Sequence, residues 1–198
     1  MIQFPSGRYE KFSVGNVAAI GTSSGFVEPL EATALHMVVK QLTLLGQALS
    51  ACDFCPGPQM QRLQNARFRQ KWDDVRDFLA IHYKFNESLD TEYWRHCRQH
   101  VKLSGADDVV SFYREVGPTF LLSTILSAES IFGVGGYATL LVGQGVETDG
   151  NGRLSDDDWR RWEAWRERNR SEAGAALSVR DALQRVNSPQ WTWAKQHA

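Results

Sequence analysis

The residues best suited to chemistry lie in one short segment, residues 21–33, where a predicted strand leads through a loop into a helix. Gly21, Thr22, Ser23 and Gly25 are small, so the loop backbone can approach a ligand closely. The helix that follows would present unsatisfied N–H groups and the positive end of its dipole at its start. A helix start of this kind binds anions. On these residues alone, a plain strand-to-helix connection remains the alternative explanation.

The chain as a whole predicts a mainly α-helical protein with a short β remnant at its N-terminus. Residues 9–12 and 14–20 are short apolar runs typical of strands, and no further strand pattern follows them. Parallel strands need partners joined by crossover connections. The pattern therefore predicts that the remaining strands of the sheet are missing from this chain and that residues 14–20 need a partner to cover them.

Helical patterns occupy most of the sequence after this point. The predicted helices begin after Pro29, near Met60, at Asp90 and Thr91, at Ser155 and at Ser178, the last two with capping boxes. The first of them has a predicted core face formed by Leu35, Val38, Val39, Leu42, Leu45 and Leu49. The almost uncharged residues 116–146 predict two more helices, separated by the glycines at 133–136.

Charge and composition exclude several classes of protein. The 198 residues carry 22 Lys and Arg against 23 Asp and Glu, which gives a net charge of −1 and argues against nucleic acid as the partner. No uninterrupted apolar run reaches the roughly 18 residues of a membrane span. The start of the chain lacks the pattern of a signal peptide, so we expect a cytoplasmic location.

Several ordered motifs resemble one family. Residues 21–33 read G-T-S-S-G-F-V-E-P-L-E-A-T, which is similar to the G-x-S-x-G-F-[IV]-E-P-L-E-[SA]-T segment of the flavin-dependent tryptophan halogenases. Residues 6–9 (SGRY), 76–83 (RDFLAIHY), 91–95 (TEYWR) and 140–146 (LLVGQGV) also resemble that family. The resemblance spans about residues 4–146 and implies the helical substrate-binding part of a halogenase-like flavoprotein.

The resemblance implies a role for individual residues. Those that would approach FAD are Gly21, Thr22, Ser23, Gly25 and Leu35. Glu31 matches an acidic residue of the halogenation site that helps to bind the substrate. The backbone N–H groups of Thr33 and Ala34 would hold the halide, chloride or bromide, which agrees with the anion site expected at the helix start. The family often has serine at the position of Ala32 and glycine at that of Ala34.

The same resemblance implies an organisation and a set of partners. Residues 1–34 would end a flavin-binding domain, and residues 35–198 would form a helical substrate domain. The family uses reduced FAD from a separate flavin reductase, oxygen and halide to halogenate an aromatic substrate, here a small molecule or a peptide-bound group. No G-x-G-x-x-G fingerprint occurs in the chain. We therefore expect the isolated chain to be inactive without an N-terminal flavin domain.

A different class of function remains open, a non-catalytic helical binding module. Residues 147–158 resemble an EF-hand calcium loop, although Glu147 and Asp158 are unusual at its first and last positions. Cys52 and Cys55 have redox or zinc spacing, and His96 and His100 share a helix face. None of these has a second set of ligands in the sequence, so no metal is expected.

Overall fold

The computed structural model describes residues 6–28, 30–128, 130–150 and 155–191. By its contacts, the chain divides into two compact units, Met1–Gly152 and Arg153–Ala198. The boundary between residues 34 and 35 that the resemblance implies does not coincide with this division, and it stays a prediction.

The β structure is confined to four strands of two residues each near the N-terminus of the described chain, β1 (Gly7–Arg8), β2 (Ser13–Val14), β3 (Val17–Ala18) and β4 (Gly25–Phe26). β1 pairs with β4 and β2 with β3, both antiparallel. The predicted β remnant is confirmed, but its predicted bounds are wrong, because residues 9–12 form no strand and residues 14–20 form only short pieces. Antiparallel pairs this short need no crossover connection, so local turns suffice to form them.

Side chains from the helices complete the hydrogen bonding of this region. Asn65 Oδ1 accepts hydrogen bonds from the backbone N–H groups of Phe12 and Ser13, both at 3.0 Å, and Asn65 Nδ2 donates to Ser13 O at 2.9 Å. Buried backbone groups must be paired. The side-chain amide of Asn65 in α2 thus provides the backbone hydrogen bonds that a neighbouring strand would provide in a wider sheet.

The helices of the first unit follow in chain order: α1 (Thr33–Ala51), α2 (Pro58–Phe85), α3 (Glu92–His100), α4 (Ala106–Val116) and α5 (Gly133–Gly143), with short 3₁₀ turns at Gly21–Ser23 and Phe120–Thr124. α3 begins where it is predicted, and Thr91 caps it, since its side chain accepts from Trp94 N. The predicted separation of two helices by glycines 133–136 is wrong, because these glycines form the first turn of α5.

The buried face of α1 differs from the predicted one. Its buried residues are Thr33, Met37, Gln41 and Ala48. Leu35, Val39 and Leu42, which the apolar period assigns to the core, are 71%, 54% and 52% exposed. The reason is that α1 packs on the N-terminal turn and on α2 through its more polar stripe. An apolar stripe of α1, defined here as Leu35, Val39 and Leu42, is left facing outward.

Helix α2 contributes to two separate cores. One core surrounds Phe78, Ile81, Val110, Tyr137 and Leu141, and the other surrounds Phe12, Met37, Phe68, Trp72 and Val75. The three- and four-residue spacing of Leu63, Phe68, Trp72, Val75 and Leu79 predicts a helix here. All of these residues are buried except Leu63, which is 50% exposed. None of the helices in the described ranges is both long and apolar enough to span a bilayer.

The second unit contains α6 (Asp156–Gly174) and α7 (Val179–Val186). Both begin at the predicted capping serines: Ser155 Oγ accepts from Asp158 N at 3.1 Å, and Ser178 Oγ accepts from Asp181 N at 3.2 Å. No residue of either helix is buried. Local capping and helical propensity, rather than burial, therefore define these two elements.

Candidate functional site

A cleft of about 530 Å³ opens beside β1 and β4. Its walls are formed by Ser6, Gly7, Arg8, Tyr9, Thr22, Gly25 and Phe26. Two of the predicted FAD-contacting residues, Thr22 and Gly25, thus face the same space as the SGRY motif. Arg8 is fixed there by Asp73 of α2, to which Nε and Nη2 donate at 3.1 and 3.0 Å. This paired hydrogen bond raises the pKa of Arg8 and keeps a positive charge at the cleft.

Gly25 is required by packing as well as by any ligand. A Cβ at this position would lie 2.9 Å from two atoms of the Trp72 indole and 3.1 Å from Gly7 O. Trp72 is itself 3% exposed in the second core. The close contact between the Gly25 backbone and the Trp72 indole therefore fixes Gly25 in the wall of the cleft.

Gln41 of α1 holds the turn that carries the predicted flavin-contacting residues. Its Oε1 accepts from Gly21 N at 2.8 Å, and its Nε2 donates to Ser24 Oγ at 2.6 Å. Ser24 Oγ in turn donates to Gly21 O at 2.8 Å. Both Gln41 and Ser24 are completely buried. Gly21 has φ = +65°, a conformation that favours glycine.

The start of α1 carries a buried side-chain oxygen, Thr33 Oγ1, without a hydrogen-bond partner among the described residues. Ala32 precedes the helix with φ = 51° and makes no side-chain cap. Thr33 is 3% exposed, and its Oγ1 is buried without a hydrogen-bond partner among the described residues. An uncapped helix start beside an unpaired hydroxyl offers N–H and O–H donors to an anion. These are Thr33 and Ala34, the predicted halide-binding residues.

Glu31, the predicted catalytic residue, contacts His82 of α2. Its Oε1 lies 2.9 Å from His82 Nε2, with the two side chains 41% and 16% exposed respectively. His82 Nδ1 lies 3.3 Å from Phe78 O, and the His82 ring makes an edge contact with the Phe78 ring at 5.2 Å. Phe78 stacks on Phe132 at 3.6 Å, so a packed aromatic column supports the imidazole.

Tyr83, the next residue of α2, lies near Glu28, the other acidic residue of the loop. Burial and the nearby Glu28 carboxylate raise the pKa of Tyr83 to about 12, with a further contribution from Tyr93. Glu28 Oε2 also accepts from Leu30 N at 2.9 Å. The contact between Glu31 and His82 attaches the loop between β4 and α1 to α2.

The predicted site residues are thus brought together in part. Thr22 and Gly25 line the cleft, while Glu31, Thr33 and Ala34 surround the start of α1. Ser23 is exposed, and its hydroxyl is used locally by donating to Ile20 O at 2.8 Å. Leu35 points outward in the apolar stripe of α1. The functional roles of all these positions, and that of Gly21, remain predictions.

Sequence reasoning missed the residues that position the site: Gln41, Trp72, Asp73 and His82. The period of α2 assigns His82 only to a helix face, although the residue lies in the RDFLAIHY motif. A polar residue on a face that is otherwise buried is the available signal for Gln41, but the predicted buried face of α1 is itself incorrect.

The structure gives little support to the other candidate sites, the EF-hand-like loop and the histidine pair. Residues 151–154 of the EF-hand-like loop lie outside the described residues, and Asp158 accepts from Ser155 Oγ at 2.6 Å as part of a helix cap. His96 and His100 stack at 4.2 Å on an exposed face. Within the described ranges, no group of three or more His, Cys, Asp or Glu side chains could hold a metal ion. Calcium binding at residues 147–158 stays an untested alternative.

Comparison with known proteins identifies the family to which this fold and this sequence belong. The fold is shared with Xcc4156, a flavin-dependent halogenase from Xanthomonas campestris, at a TM-score of 0.79 and 21% identity over 93% of this chain and 37% of that chain. The sequence matches the family described as tryptophan halogenase over residues 1–157. The chain belongs to the tryptophan halogenase family.

Two further relatives define the extent of the similarity. The tryptophan 7-halogenase RebH of Lentzea aerocolonigenes is 34% identical over 117 residues, 57% of this chain and 21% of that protein. The structure of MibH, a "lathipeptide tryptophan 5-halogenase", is 31% identical with a TM-score of 0.76 and covers 91% of this chain and 35% of that chain. The chain therefore spans about a third of the solved relatives and a fifth of RebH.

Proposed function

We propose that this chain forms the halide- and substrate-binding part of an FAD-dependent halogenase that chlorinates or brominates an aromatic, tryptophan-like substrate. The observation that carries the proposal is the unpaired, buried Thr33 hydroxyl at the uncapped start of α1, two residues after Glu31. Membership of the tryptophan halogenase family supports the reaction class.

The halide would be held by the first turn of α1. The backbone N–H groups of Thr33 and Ala34 and the Thr33 hydroxyl are donors, and the helix dipole adds a positive potential. No acid lies in the first turn of α1 itself. The Glu31 Oε1 atom lies 2.9 Å from His82 Nε2, which orients that oxygen towards α2.

The residues of the cleft fit a flavin edge, because the small residues Gly7, Thr22 and Gly25 line an open space. Reduced FAD, when bound, supplies the electrons with which oxygen is activated to oxidise the halide. This chain's own residues shape one wall: Gln41 holds the turn and Trp72 holds Gly25 in place. Arg8 contributes a fixed positive charge beside them.

Glu31 would orient the aromatic substrate by accepting a hydrogen bond from it. His82 leaves one carboxylate oxygen, Oε2, for this contact while it holds Oε1 at 2.9 Å. MibH is described as acting on a peptide. We include a peptide-bound aromatic group among the substrates, beside a small molecule.

The rest of the enzyme would be a flavin-binding part that covers the apolar stripe of α1 and the exposed Val14 and Val17, which are 61% and 66% exposed. Because the chain spans about a third of the solved relatives, we propose that it does not halogenate alone and that a flavin reductase supplies reduced FAD to the whole enzyme. If this chain alone, supplied with reduced FAD, oxygen, halide and an aromatic substrate, formed a halogenated product, the result would contradict the proposed inactivity of the isolated chain.

The halide site can be tested on the chain itself. Its free energy of unfolding is measured in chloride, in bromide and in gluconate at constant ionic strength. Binding to the folded state alone gives saturable stabilisation, about 1.4 kcal/mol at tenfold excess over Kd. Thr33→Val should lose most of this response, while Thr33→Ser should keep it.

A matched control comes from the same helix. Thr43 Oγ1 already donates to Val39 O at 2.9 Å on an exposed face, so Thr43→Val should respond to halide like the wild type. Without halide, Thr33→Val should be at least as stable as the wild type, because it removes a buried hydroxyl that lacks a partner. An equal halide response in wild type and Thr33→Val, or none in either, would rule out the proposed site.

A further inference from the structure

The C-terminal end of α1 carries two cysteines in one tight turn. Cys52 is the C-cap residue of the helix, and Cys55 N donates to Cys52 O at 2.8 Å. Phe54 N donates to Leu49 O at 2.8 Å, the long hydrogen bond of a Schellman cap. These two bonds fix the turn in the folded chain.

The two residues between the cysteines adopt an unusual conformation. Asp53 and Phe54 have φ = 47° and 60°, and neither is glycine. Consecutive left-handed residues closed by an i to i+3 hydrogen bond define a type I′ turn. Such a turn keeps the first and last Cα atoms within about 7 Å, which is close to the 4.4–6.8 Å range found for disulfides. The turn therefore holds the two cysteine Cα atoms within about 7 Å of each other, at a cost in backbone strain.

The three cysteines of the chain differ in access. Cys55 is exposed, Cys52 is partly exposed and Cys97 is buried. Phe54 is 80% exposed, so the turn projects into solvent. A small reagent can reach Cys55 without any opening of the fold, whereas Cys97 is protected.

We propose that Cys52 and Cys55 form a dithiol site that a low-molecular-weight disulfide, such as oxidised glutathione, converts into an intrachain disulfide. The Cys55 thiolate attacks one sulfur of the reagent, forms a mixed disulfide and releases one thiolate. The Cys52 thiolate then attacks the Cys55 sulfur and releases the second. Two protein thiols are oxidised, one reagent disulfide is reduced to two thiols, and the two protons pass to the released thiolates.

The bond would lock the connection between α1 and α2. Closing the turn covalently removes conformations from the unfolded chain and fixes the strained pair Asp53 and Phe54. This inference is independent of the proposed halogenase function, because it uses residues remote in sequence from the loop at 21–33.

The test exposes the full chain to a series of glutathione redox buffers, with acid quenching, alkylation and peptide mass spectrometry. The expected product is a monomer that has lost two hydrogen atoms, with the crosslink between Cys52 and Cys55 and Cys97 still alkylatable after unfolding. Its midpoint of thermal unfolding should rise by a few degrees relative to the reduced chain. Cys97→Ser should behave like the wild type.

Single variants separate this site from ordinary surface thiols. Cys52→Ser should stop at a stable mixed disulfide on Cys55, and Cys55→Ser should react much more slowly. Phe54→Gly, which relieves a left-handed position, should be more stable when reduced and should still close the disulfide. A wild-type chain that ends as a glutathione adduct on Cys55, as a disulfide-linked dimer or unreacted would overturn the proposal.

Discussion

Glu31 Oε1 and His82 Nε2 lie 2.9 Å apart, although 51 positions separate the two residues in the sequence. This contact joins the loop before α1 to the C-terminal part of α2. The loop follows β4, and Phe78 of α2 stacks on Phe132, the residue that precedes α5. A rigid helix thus determines where an exposed acid of a short loop lies.

Replacing His82 should loosen this loop. His82→Leu removes the donor, so amide hydrogen exchange over residues 30–34 should become faster, because the loop loses its contact with α2 at Glu31. His82→Gln keeps an N–H donor and should restore part of the protection. Mass spectrometry of peptides covering 26–38 provides the measurement, with a peptide from α4 as internal reference. Equal protection in wild type and His82→Leu would show that the contact does not hold the loop.

Two glycine substitutions should have opposite effects on stability. Gly25→Ala places a Cβ 2.9 Å from the Trp72 indole and should lower the free energy of unfolding. Overpacking of this kind costs about 1–3 kcal/mol. Gly46→Ala, inside α1 with no atom within 4 Å of the added Cβ, should instead raise it. The gain expected from helix propensity is about 1 kcal/mol. Urea denaturation of both variants measures the difference, and a stabilising Gly25→Ala would contradict the close contact between the Gly25 backbone and the indole.

Gln41 should contribute more to stability than any exposed glutamine of the same helix. Gln41→Met keeps the length of the side chain but leaves Gly21 N without its acceptor and Ser24 Oγ without its donor. The expected loss is about 2–3 kcal/mol, since buried polar groups become unsatisfied. Gln47→Met, on an exposed position of α1, should change the free energy of unfolding by less than about 0.5 kcal/mol. Similar losses in the two variants would contradict the role of Gln41 as the anchor of the turn.

Tyr83 should ionise late and should make stability depend on alkaline pH. Its pKa of about 12 in the folded chain exceeds the ordinary value of 10.0, so the unfolded chain releases this proton first. The contribution of Tyr83 is therefore fully present below pH 10 and is lost as the pH rises towards about 12. Carbon-13 NMR of tyrosine Cζ measures the titration, and Tyr83→Phe assigns the signal.

Glu28→Gln separates the causes of this shift. Burial is the largest cause and Glu28 follows it, so the variant should lower the pKa of Tyr83 only in part. Glu87→Gln, an exposed substitution soon after α2, serves as the control and should leave the titration unchanged. If Glu28→Gln does not alter the titration, the carboxylate does not act on Tyr83.

The sequence by itself predicted the features that depend on neighbouring residues. The three- and four-residue spacing of Phe68, Trp72, Val75 and Leu79 predicted the helix α2, and the capping boxes at Ser155 and Ser178 marked two helix starts. These features follow from interactions within one or two helical turns, which the order of residues specifies directly. The motifs at 21–33 and 76–83 also identified the family, and the family match confirms this.

Only the tertiary structure decided which surfaces meet. The apolar pattern of α1 indicates the wrong buried face, because Gln41 and Met37 turn inward while Leu35, Val39 and Leu42 face outward. The contacts of Glu31 with His82 and of Asn65 with Ser13 join residues 51 and 52 positions apart. A periodic pattern states that a helix has an apolar side, but which neighbour covers which side depends on chain segments far away in sequence. That is why the loop was found from sequence and its supporting side chains were not.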